Sequence, residues 1–374
     1  MGRAGNILRL GVKELRALLR DPVLLFLIGY TFTFAIYTVA HGISTEVHNA
    51  AIAVVDEDRS ELSGRIFSAF LPPYFQAPQL IALDQVDRQM DQGRFTFVLD
   101  LPPSLQADVL AGRDPEIQLD VDATAMTQAG NGAAYIQSIV QSEIARFLNR
   151  SDDTADLPVT LKVRTLFNPN LESGWFTAVM QIINNVTILA IILSGAAVIR
   201  EREHGTLEHL LVMPLTPGEI MLAKIWANGL VIVAAAVVSL EAVVRGLLGV
   251  PVAGSILLFA GGAAVYLFAI TALGIMLATV ATTMPQFGLL AIPVFVVMNL
   301  LSGGTTPLES MPRVLQIVMQ ASPSTHFTKF AQIVLYRGAG LDVVWPQLAA
   351  IAAIGALFFL FALARFRATM AAAR

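Results

Sequence analysis

Long apolar runs with few or no charged side chains alternate with short polar links along most of the chain. Val23–Ile43 carries no formal charge, and about 20 apolar residues in a helix cross a hydrocarbon core of about 30 Å. Further apolar runs follow at Phe176–Ile199, Ile220–Val244, Ser255–Thr282, Phe287–Leu301 and Leu348–Phe366. The pattern predicts an α-helical membrane protein with six transmembrane helices, the first over residues 23–43 and helices 2–6 within residues 173–374.

The first apolar run has a secretory signal peptide as its alternative interpretation. The apolar region of a signal peptide spans only about 7–15 residues and ends at an A-x-A-like site. This run is longer, and Thr38-Val39-Ala40 matches such a site poorly. Asp21 and Pro22 suit the N-cap and first position of a new helix. We therefore expect an uncleaved membrane anchor.

Residues 1–22 form a basic amphipathic segment. Its cations are Arg3, Arg9, Lys13, Arg16 and Arg20. Its apolar residues Ile7, Leu8, Leu15, Leu18 and Leu19 recur mostly at helical spacing. Such a helix lies in the membrane interface with its cations toward water. The segment is predicted to be a cytoplasmic interfacial helix.

Residues 44–172 alternate strand-like and helix-like segments. The predicted strands are Ala50–Asp56, Thr96–Leu101, Glu116–Asp122 and Val159–Arg164. The predicted helices are Ser60–Phe70, Pro103–Ala111 and Gln128–Asn149. Alternation of this kind favours a small α/β unit, and its place in the chain predicts an extracytoplasmic α/β domain between the first and second transmembrane helices.

The composition agrees with a membrane protein, since the 374 residues are 55% hydrophobic and 14% charged, against roughly 25% charged in soluble domains. The net charge of −4 is the sum of two regions of opposite charge. Ser44 to Glu172 holds 19 acidic and 9 basic residues, and the rest of the chain is net basic, which indicates that the two regions lie in different environments. There is no cysteine, which excludes disulfides and thiolate chemistry.

Lysine and arginine positions predict the topology, because cytoplasmic loops of membrane proteins carry an excess of both. Six helices with both termini in the cytoplasm keep the basic N-terminal cluster inside and export the acidic domain.

Residues 305–346 fit neither a span nor a loop: Pro307, Pro312 and Pro323 interrupt apolar stretches. This composition predicts a re-entrant helical hairpin, which a membrane protein tolerates where protein buries the backbone.

Catalytic and metal-binding motifs do not occur in the sequence. It has no G-x-x-x-x-G-K-[ST] phosphate loop, G-x-S-x-G elbow or H-E-x-x-H helix. We expect Asp56-Glu57-Asp58 to be a solvated turn after a strand, with a cation site as the alternative. No catalytic residue and no metal ligand is therefore predicted.

A few polar side chains fall inside the apolar runs, where they indicate function by default. Glu241 and Arg245 are four residues apart and can pair, either as an anchor at the interface or as a substrate contact. Asn184, Asn185 and Asn299 are candidates for a transport pathway or for hydrogen bonds between helices.

Residues 200–219, REREHGTLEHLLVMPLTPGE, predict a short amphipathic helix followed by a capped start of the third transmembrane helix. Leu207, Leu210 and Leu211 form one apolar stripe, and Pro214 ends that helix. Thr216-Pro217-Gly218-Glu219 has the residues of a capping box. An ordinary surface loop is the alternative, but a capped, highly charged helix favours a docking surface.

The stretch EREHGTLEHLLVMPLTPGEIMLAKI resembles the ABC-2 type permeases, the membrane subunits of type V ABC exporters. LSGGTTPLESMPRVLQIVMQASPSTHF, FTKFAQIVLYRGAG and the opening KELRALLRDP extend the resemblance over nearly the whole chain. The resemblance implies that residues 201–213 are the coupling helix that docks on a separate ATPase. The implied coupling residues are Glu201, Arg202, Glu203, His204, Gly205, Thr206, Glu208 and His209.

The resemblance also implies the setting: a bacterial inner membrane, a second permease copy or paralogue, and outward movement of a drug, lipid or other hydrophobic molecule. ATP and Mg²⁺ would belong to the partner ATPase, with no cofactor bound by this chain. A periplasmic adaptor is neither required nor excluded, and no nucleic-acid partner is expected. The family places the re-entrant hairpin at Thr306–Gln332, and Thr306-Pro307-Leu308-Glu309 suggests a second capping box.

Two other classes are alternatives. One is a membrane receptor or sensor with an extracytoplasmic ligand-binding domain, which the four predicted helices after the second span disfavour. The other is a membrane-embedded enzyme, which the missing catalytic constellation disfavours.

Overall fold

The computed structural model describes residues 3–42, 47, 49–122, 126–149, 173–203 and 216–372. The chain separates into two compact units. The helical unit comprises residues 1–42, 167–169 and 174–374, and the sheet unit comprises residues 43–166 and 170–173.

The sheet unit is built on four strands: β1 Ile52–Asp56, β2 Gln79–Leu80, β3 Phe97–Leu101 and β4 Gln118–Val121. Their spatial order is β2-β1-β3-β4. β1 is parallel to both β2 and β3, and β4 is antiparallel to β3. The predicted strands at β1, β3 and β4 are confirmed. Val159–Arg164 lies outside the described residues, and β2 was not predicted.

Both faces of the sheet are covered, because successive side chains of a strand point to opposite sides. Ile52 and Val54 face one core, and Ala53 and Val55 face the other. The helices of this unit are α4 Glu61–Ser68, α5 Val86–Asp91, α6 Leu105–Leu110 and α7 Met126–Asn149. Asp56 accepts hydrogen bonds from Arg59 N (2.8 Å) and Ser63 Oγ (3.0 Å), which supports the predicted turn.

The helical unit begins with the amphipathic helix α1, Arg3–Leu19. It continues with α2 Pro22–Phe32, α3 Phe34–Gly42, α8 Ser173–Glu203, α9 Pro217–Ser239, α10 Ile256–Val280 and α11 Met284–Leu300. It ends with α12 Arg313–Met319, α13 Pro323–Leu335 and α14 Leu341–Ala372. A π-helical segment, Leu240–Leu247, extends α9.

Five helical stretches of the described chain are long and apolar enough to cross a membrane: Pro22–Gly42, Ser173–Glu203, Pro217–Leu247, Ile256–Val280 and Leu341–Arg367. α11 is apolar but has only 17 residues, near the lower limit of about 17–25 residues for a spanning helix. Five of the six predicted spans therefore meet this criterion, and α11 falls just below it.

The predicted first transmembrane helix is not continuous. It is broken at Thr33, whose backbone (φ −124°, ψ −80°) departs from helical geometry and separates α2 from α3. Asp21 caps α2, with its carboxylate accepting from the backbone N–H groups of Val23 (3.0 Å) and Leu24 (3.2 Å).

The hairpin region contains one 3₁₀ turn at Leu308–Ser310, then α12 and α13. The predicted capping box at Thr306–Glu309 is wrong: Pro307 precedes the turn and no side chain caps it. The last helix starts at Leu341 and contains Pro346. The predicted end of the hairpin segment at residue 346 therefore falls inside this helix.

Small residues let the long helices approach closely, as is usual between membrane helices. Gly274 of α10 lies against Ser194 and Ile191 of α8, and Gly355 of α14 lies against Ala269 of α10. A Cβ at either glycine would collide with these neighbours.

Candidate functional site

The amphipathic helix α1 packs on the first half of α9. Trp226 Nε1 donates a hydrogen bond to the carbonyl of Ile7 (3.2 Å), and its indole ring covers Gly11, where a Cβ would overlap the ring. Asn6 Nδ2 donates to Glu219 Oε1 (3.3 Å). One apolar and two polar contacts therefore fix α1 against α9, and glycine at position 11 permits the close approach.

Lys224 lies at the centre of this contact and is 2% exposed. Its Nζ is 2.7 Å from Glu201 Oε1 at the end of α8 and 3.3 Å from Glu14 Oε1 of α1. A buried ammonium is costly unless carboxylates and hydrogen bonds compensate it. The ion cluster Glu14–Glu201–Lys224 therefore links α1, α8 and α9.

The start of α9 is capped as the sequence predicts. Glu219 Oε2 accepts from Thr216 N (2.6 Å), and Glu219 N donates to Thr216 Oγ1 (3.4 Å), a reciprocal capping box. Glu219 also accepts from Asn6. The cap that begins α9 is thus part of the α1 contact.

The last turn of α8 also reaches the connection between α10 and α11. Arg202 Nη1 donates to the carbonyl of Ala281 (2.7 Å), which follows α10. Glu203 Oε1 accepts from the backbone N–H of Met284 (3.1 Å), the first residue of α11. These two side chains satisfy backbone groups that helix ends leave without partners.

The predicted coupling residues divide into two sets. Glu201, Arg202 and Glu203 belong to α8, which continues unbroken to Glu203, and each contacts another helix of the unit. His204, Gly205, Thr206, Glu208 and His209 lie outside the described residues. The described part of the segment therefore anchors it to α9, α10 and α11, and its docking role stays a prediction.

The other predicted polar residues lie in three places. Arg245 Nη1 is 3.3 Å from Glu241 Oε2 within the π-helical segment, and the two side chains are 54% and 40% exposed. An exposed pair of this kind contributes at most about 1 kcal/mol. Asn299 near the end of α11 accepts through its carbonyl from Ser302 Oγ (3.2 Å). Asn184 is half-buried in α8.

Asn185 is buried and is hydrogen-bonded between helices, one of the two roles predicted for it. Its Nδ2 donates to the carbonyl of Thr31 (2.6 Å), just before the break in the first span. Ser239 Oγ donates to the next carbonyl, that of Phe32. Side chains of α8 and α9 thus satisfy the carbonyls that the break leaves free, as buried backbone requires.

Sequence reasoning missed Lys224, Glu14 and Trp226. Lys224 does carry a usable signal: it is a single cation inside the apolar sequence EIMLAKIWANGLVIV, where a charge needs a partner. Its partners were not identifiable, because they lie 210 and 23 positions away. Among the described residues, no group of three or more acidic, histidine or cysteine side chains is placed to hold a metal.

The fold and the ion cluster indicate a multi-pass membrane protein whose amphipathic N-terminal helix is fixed to the ends of α8 and α9. The family model described as "ABC-2 family transporter protein" matches residues 22–364. The chain therefore belongs to the ABC-2 transporter family.

Relatives agree with this family. The inner membrane transport permease YhhJ of Escherichia coli K12 is 52% identical over 365 residues, covering 98% of each chain. The probable multidrug ABC transporter permeases YbhR and YbhS of the same strain are 29% and 24% identical, covering 90% and 87% of this chain and 91% and 87% of their own. With its apolar helices, the chain is a multi-pass inner-membrane protein of the permease type.

Proposed function

We propose that this chain is the membrane-spanning subunit of an ATP-driven exporter whose ATPase is a separate polypeptide. The observation that carries the proposal is the ion cluster Glu14–Glu201–Lys224, directly before residues 204–213, the rest of the predicted coupling helix. Family membership supports the same role.

Movement of the coupling segment would reach the spans through three connections. Glu201 is connected through Lys224 to α9 and α1. Arg202 is connected through the carbonyl of Ala281 to the end of α10. Glu203 is connected through the backbone N–H of Met284 to the start of α11. Interfaces of this kind shift as discrete units rather than deforming continuously. Closure of the ATPases would thus rock several spans together.

The topology we propose has six spans, with α11 as the fifth, both termini in the cytoplasm and the sheet unit exported. At about 1.5 Å per residue, α11 is about 25 Å long, enough for a thin or locally narrowed bilayer. The excess of basic residues near α1 supports a cytoplasmic N-terminus.

The substrate we propose is a drug, a lipid or another hydrophobic molecule, moved outward by two permease copies or paralogues. The multidrug names of two relatives support this class. ATP and Mg²⁺ are bound by the partner ATPase, and none of the described residues of this chain is assigned to either.

The test is reconstitution with a partner ATPase of the same transporter class. We expect the isolated permease to hydrolyse no ATP and the complex to hydrolyse ATP and transport. Glu208→Lys should weaken ATPase binding or uncouple hydrolysis from transport, since a like-charge contact costs several kcal/mol when desolvated. Glu309→Lys is the matched control, because Glu309 is exposed in the predicted hairpin. Wild-type transport by Glu203→Lys/Glu208→Lys would contradict the docking assignment.

A further inference from the structure

A crevice of about 410 Å³ lies between α10, α11, α14 and the turn that joins α12 to α13. Its size is within the range of about 300–1,000 Å³ for sites that hold a small ligand. We propose that this crevice binds one acyl chain of a membrane phospholipid. The inference goes beyond the proposed function and depends on neither the ATPase nor the direction of transport.

The crevice lies within the length of the spanning helices. Its walls are formed by the α12–α13 turn, by α11, by Leu273 of α10 and by Phe358 of α14. The end of α13 is hydrogen-bonded to the loop before α10, and the ring of Phe327, near the start of α13, stacks on that of Tyr266 at a centroid distance of 4.1 Å. α13 therefore runs beside α10 in the opposite direction, which places the α12–α13 turn next to the second half of α10.

The lining suits hydrocarbon and not water. Ten of the eleven lining residues are apolar, and Ser322 is the exception. Ser322 Oγ is 2.8 Å from Ser324 Oγ, which in turn donates to the carbonyl of Met298 (3.3 Å). A buried water needs two to four polar partners, which this lining does not supply. An empty crevice would forfeit the dispersion contacts of its walls.

The crevice opens sideways onto the apolar surface of the bundle. Val297 of α11 and Val318 of α12 line it and are also 50% and 58% exposed. Ile292, Val314 and Ile317 continue the exposed apolar surface along the same two helices. In an inner-membrane protein, apolar surface that no second copy covers meets lipid, so the acyl chain of a phospholipid is the hydrocarbon that reaches the opening directly.

The test uses the full chain in lipid nanodiscs that contain a phosphatidylethanolamine with a photoreactive diazirine near the end of one acyl chain. After irradiation, peptide mass spectrometry compares labelling at Phe358, inside the crevice, with labelling at Leu357, which is 67% exposed on the outer face of the same helix. We expect labelling at both residues in the wild-type protein.

Val294→Trp should fill the crevice from α11 and lower labelling at Phe358 about tenfold. A tenfold change corresponds to a loss of about 1.4 kcal/mol in the free energy with which the acyl chain binds. Labelling at Leu357 should not change. Leu289→Trp is the matched control, because Leu289 is 75% exposed on α11 and does not line the crevice. If Val294→Trp fails to fold, Val318→Trp closes the opening from α12 instead.

Labelling at Leu357 without labelling at Phe358 in the wild-type protein would overturn the proposal, since the crevice would then be empty. Disulfide formation between two copies of Val297→Cys or of Val318→Cys, in a chain that otherwise has no cysteine, would also overturn it, because a second copy would cover the opening. Equal labelling of Phe358 in the wild-type protein and in a folded crevice-filling variant would likewise overturn the proposal, because the label would then reach Phe358 without entering the crevice.

Discussion

Lys224 Nζ lies 2.7 Å from Glu201 Oε1, although the two residues lie on different helices. Glu201 begins the segment that the sequence predicts as a docking helix, and Lys224 lies in the first third of a transmembrane helix. Because Lys224 is 2% exposed, its charge depends on Glu201 and on Glu14 of α1. The described end of the coupling segment is therefore fixed to the bundle by a buried charge.

The first prediction concerns this ion cluster. Lys224→Met removes the cation that lies between the carboxylates of Glu14 and Glu201, and breaking this buried ion pair should lower the free energy of unfolding by about 3 kcal/mol. The melting temperature of the detergent-purified protein measures the effect. Lys224→Met/Glu201→Gln should recover part of the loss, and Lys329→Met, at an exposed lysine, is the control. A wild-type melting temperature for Lys224→Met would contradict the buried pairing.

The second prediction concerns the contact between α1 and α9. A Cβ at Gly11 would overlap the indole ring of Trp226, whereas a Cβ at Gly5 of the same helix meets nothing within 4 Å. Gly→Ala within a helix is otherwise stabilising by roughly 0.5–1 kcal/mol. Gly5→Ala should therefore stabilise the protein slightly or leave it unchanged, while Gly11→Ala should displace α1. Faster trypsin cleavage at Arg9 and Lys13 in Gly11→Ala alone is the expected result, and equal cleavage in both variants would count against the contact.

Local signals in the sequence were sufficient for much of the fold. The cap at Asp21, the capping box of Thr216 and Glu219 and the pairing of Glu241 with Arg245 all occur as predicted. Each depends on residues within four positions of one another, and such contacts follow from helix geometry alone.

Contacts between distant helices were not predictable from one sequence. The docking role predicted for Glu201 rests on the local pattern of charges and on the family resemblance, and neither of these shows that Lys224 lies beside it. No proline or glycine occurs at position 33 that would have indicated the break in the helix. The donors to the carbonyls at the break, Asn185 and Ser239, come from two other helices. Tertiary packing decides such features, whereas periodicity reports only which face of a helix is apolar.

The third prediction concerns the break in the first span. Asn185→Leu removes the donor to the carbonyl of Thr31, and a buried acceptor left without a partner costs about 1–3 kcal/mol. The melting temperature should fall accordingly. Asn184→Leu is the matched control on the same helix, because within the described residues Asn184 donates to no carbonyl of α2. Equal losses from the two variants would show that the bond to Thr31 is not what stabilises the break.

The last prediction concerns pH and the sheet unit. Burial raises the pKa of Asp100 above its usual value, and the negative charges of Glu57 and Asp120 raise it further. One carboxylate oxygen of Asp100 is buried without a hydrogen-bond partner in the described residues. Between the unfolded pKa and the raised folded pKa, the native state binds more protons than the unfolded state. The stability of the unit therefore falls as pH rises through this window.

Asp100→Asn should consequently stabilise the unit at neutral pH, and the gain should disappear as pH falls toward the unfolded pKa of about 3.9. Glu57→Gln should give part of the same gain, since the Glu57 charge is the second cause of the shift. The measurement is the melting temperature of the sheet unit within the full chain, followed by scanning calorimetry at each pH, with Asp114→Asn, at an exposed acid of the same unit, as control. A gain that is equal at all pH values would come from packing or hydrogen bonding. A loss at neutral pH would mean that the fold stabilises the Asp100 carboxylate, which would contradict a raised pKa.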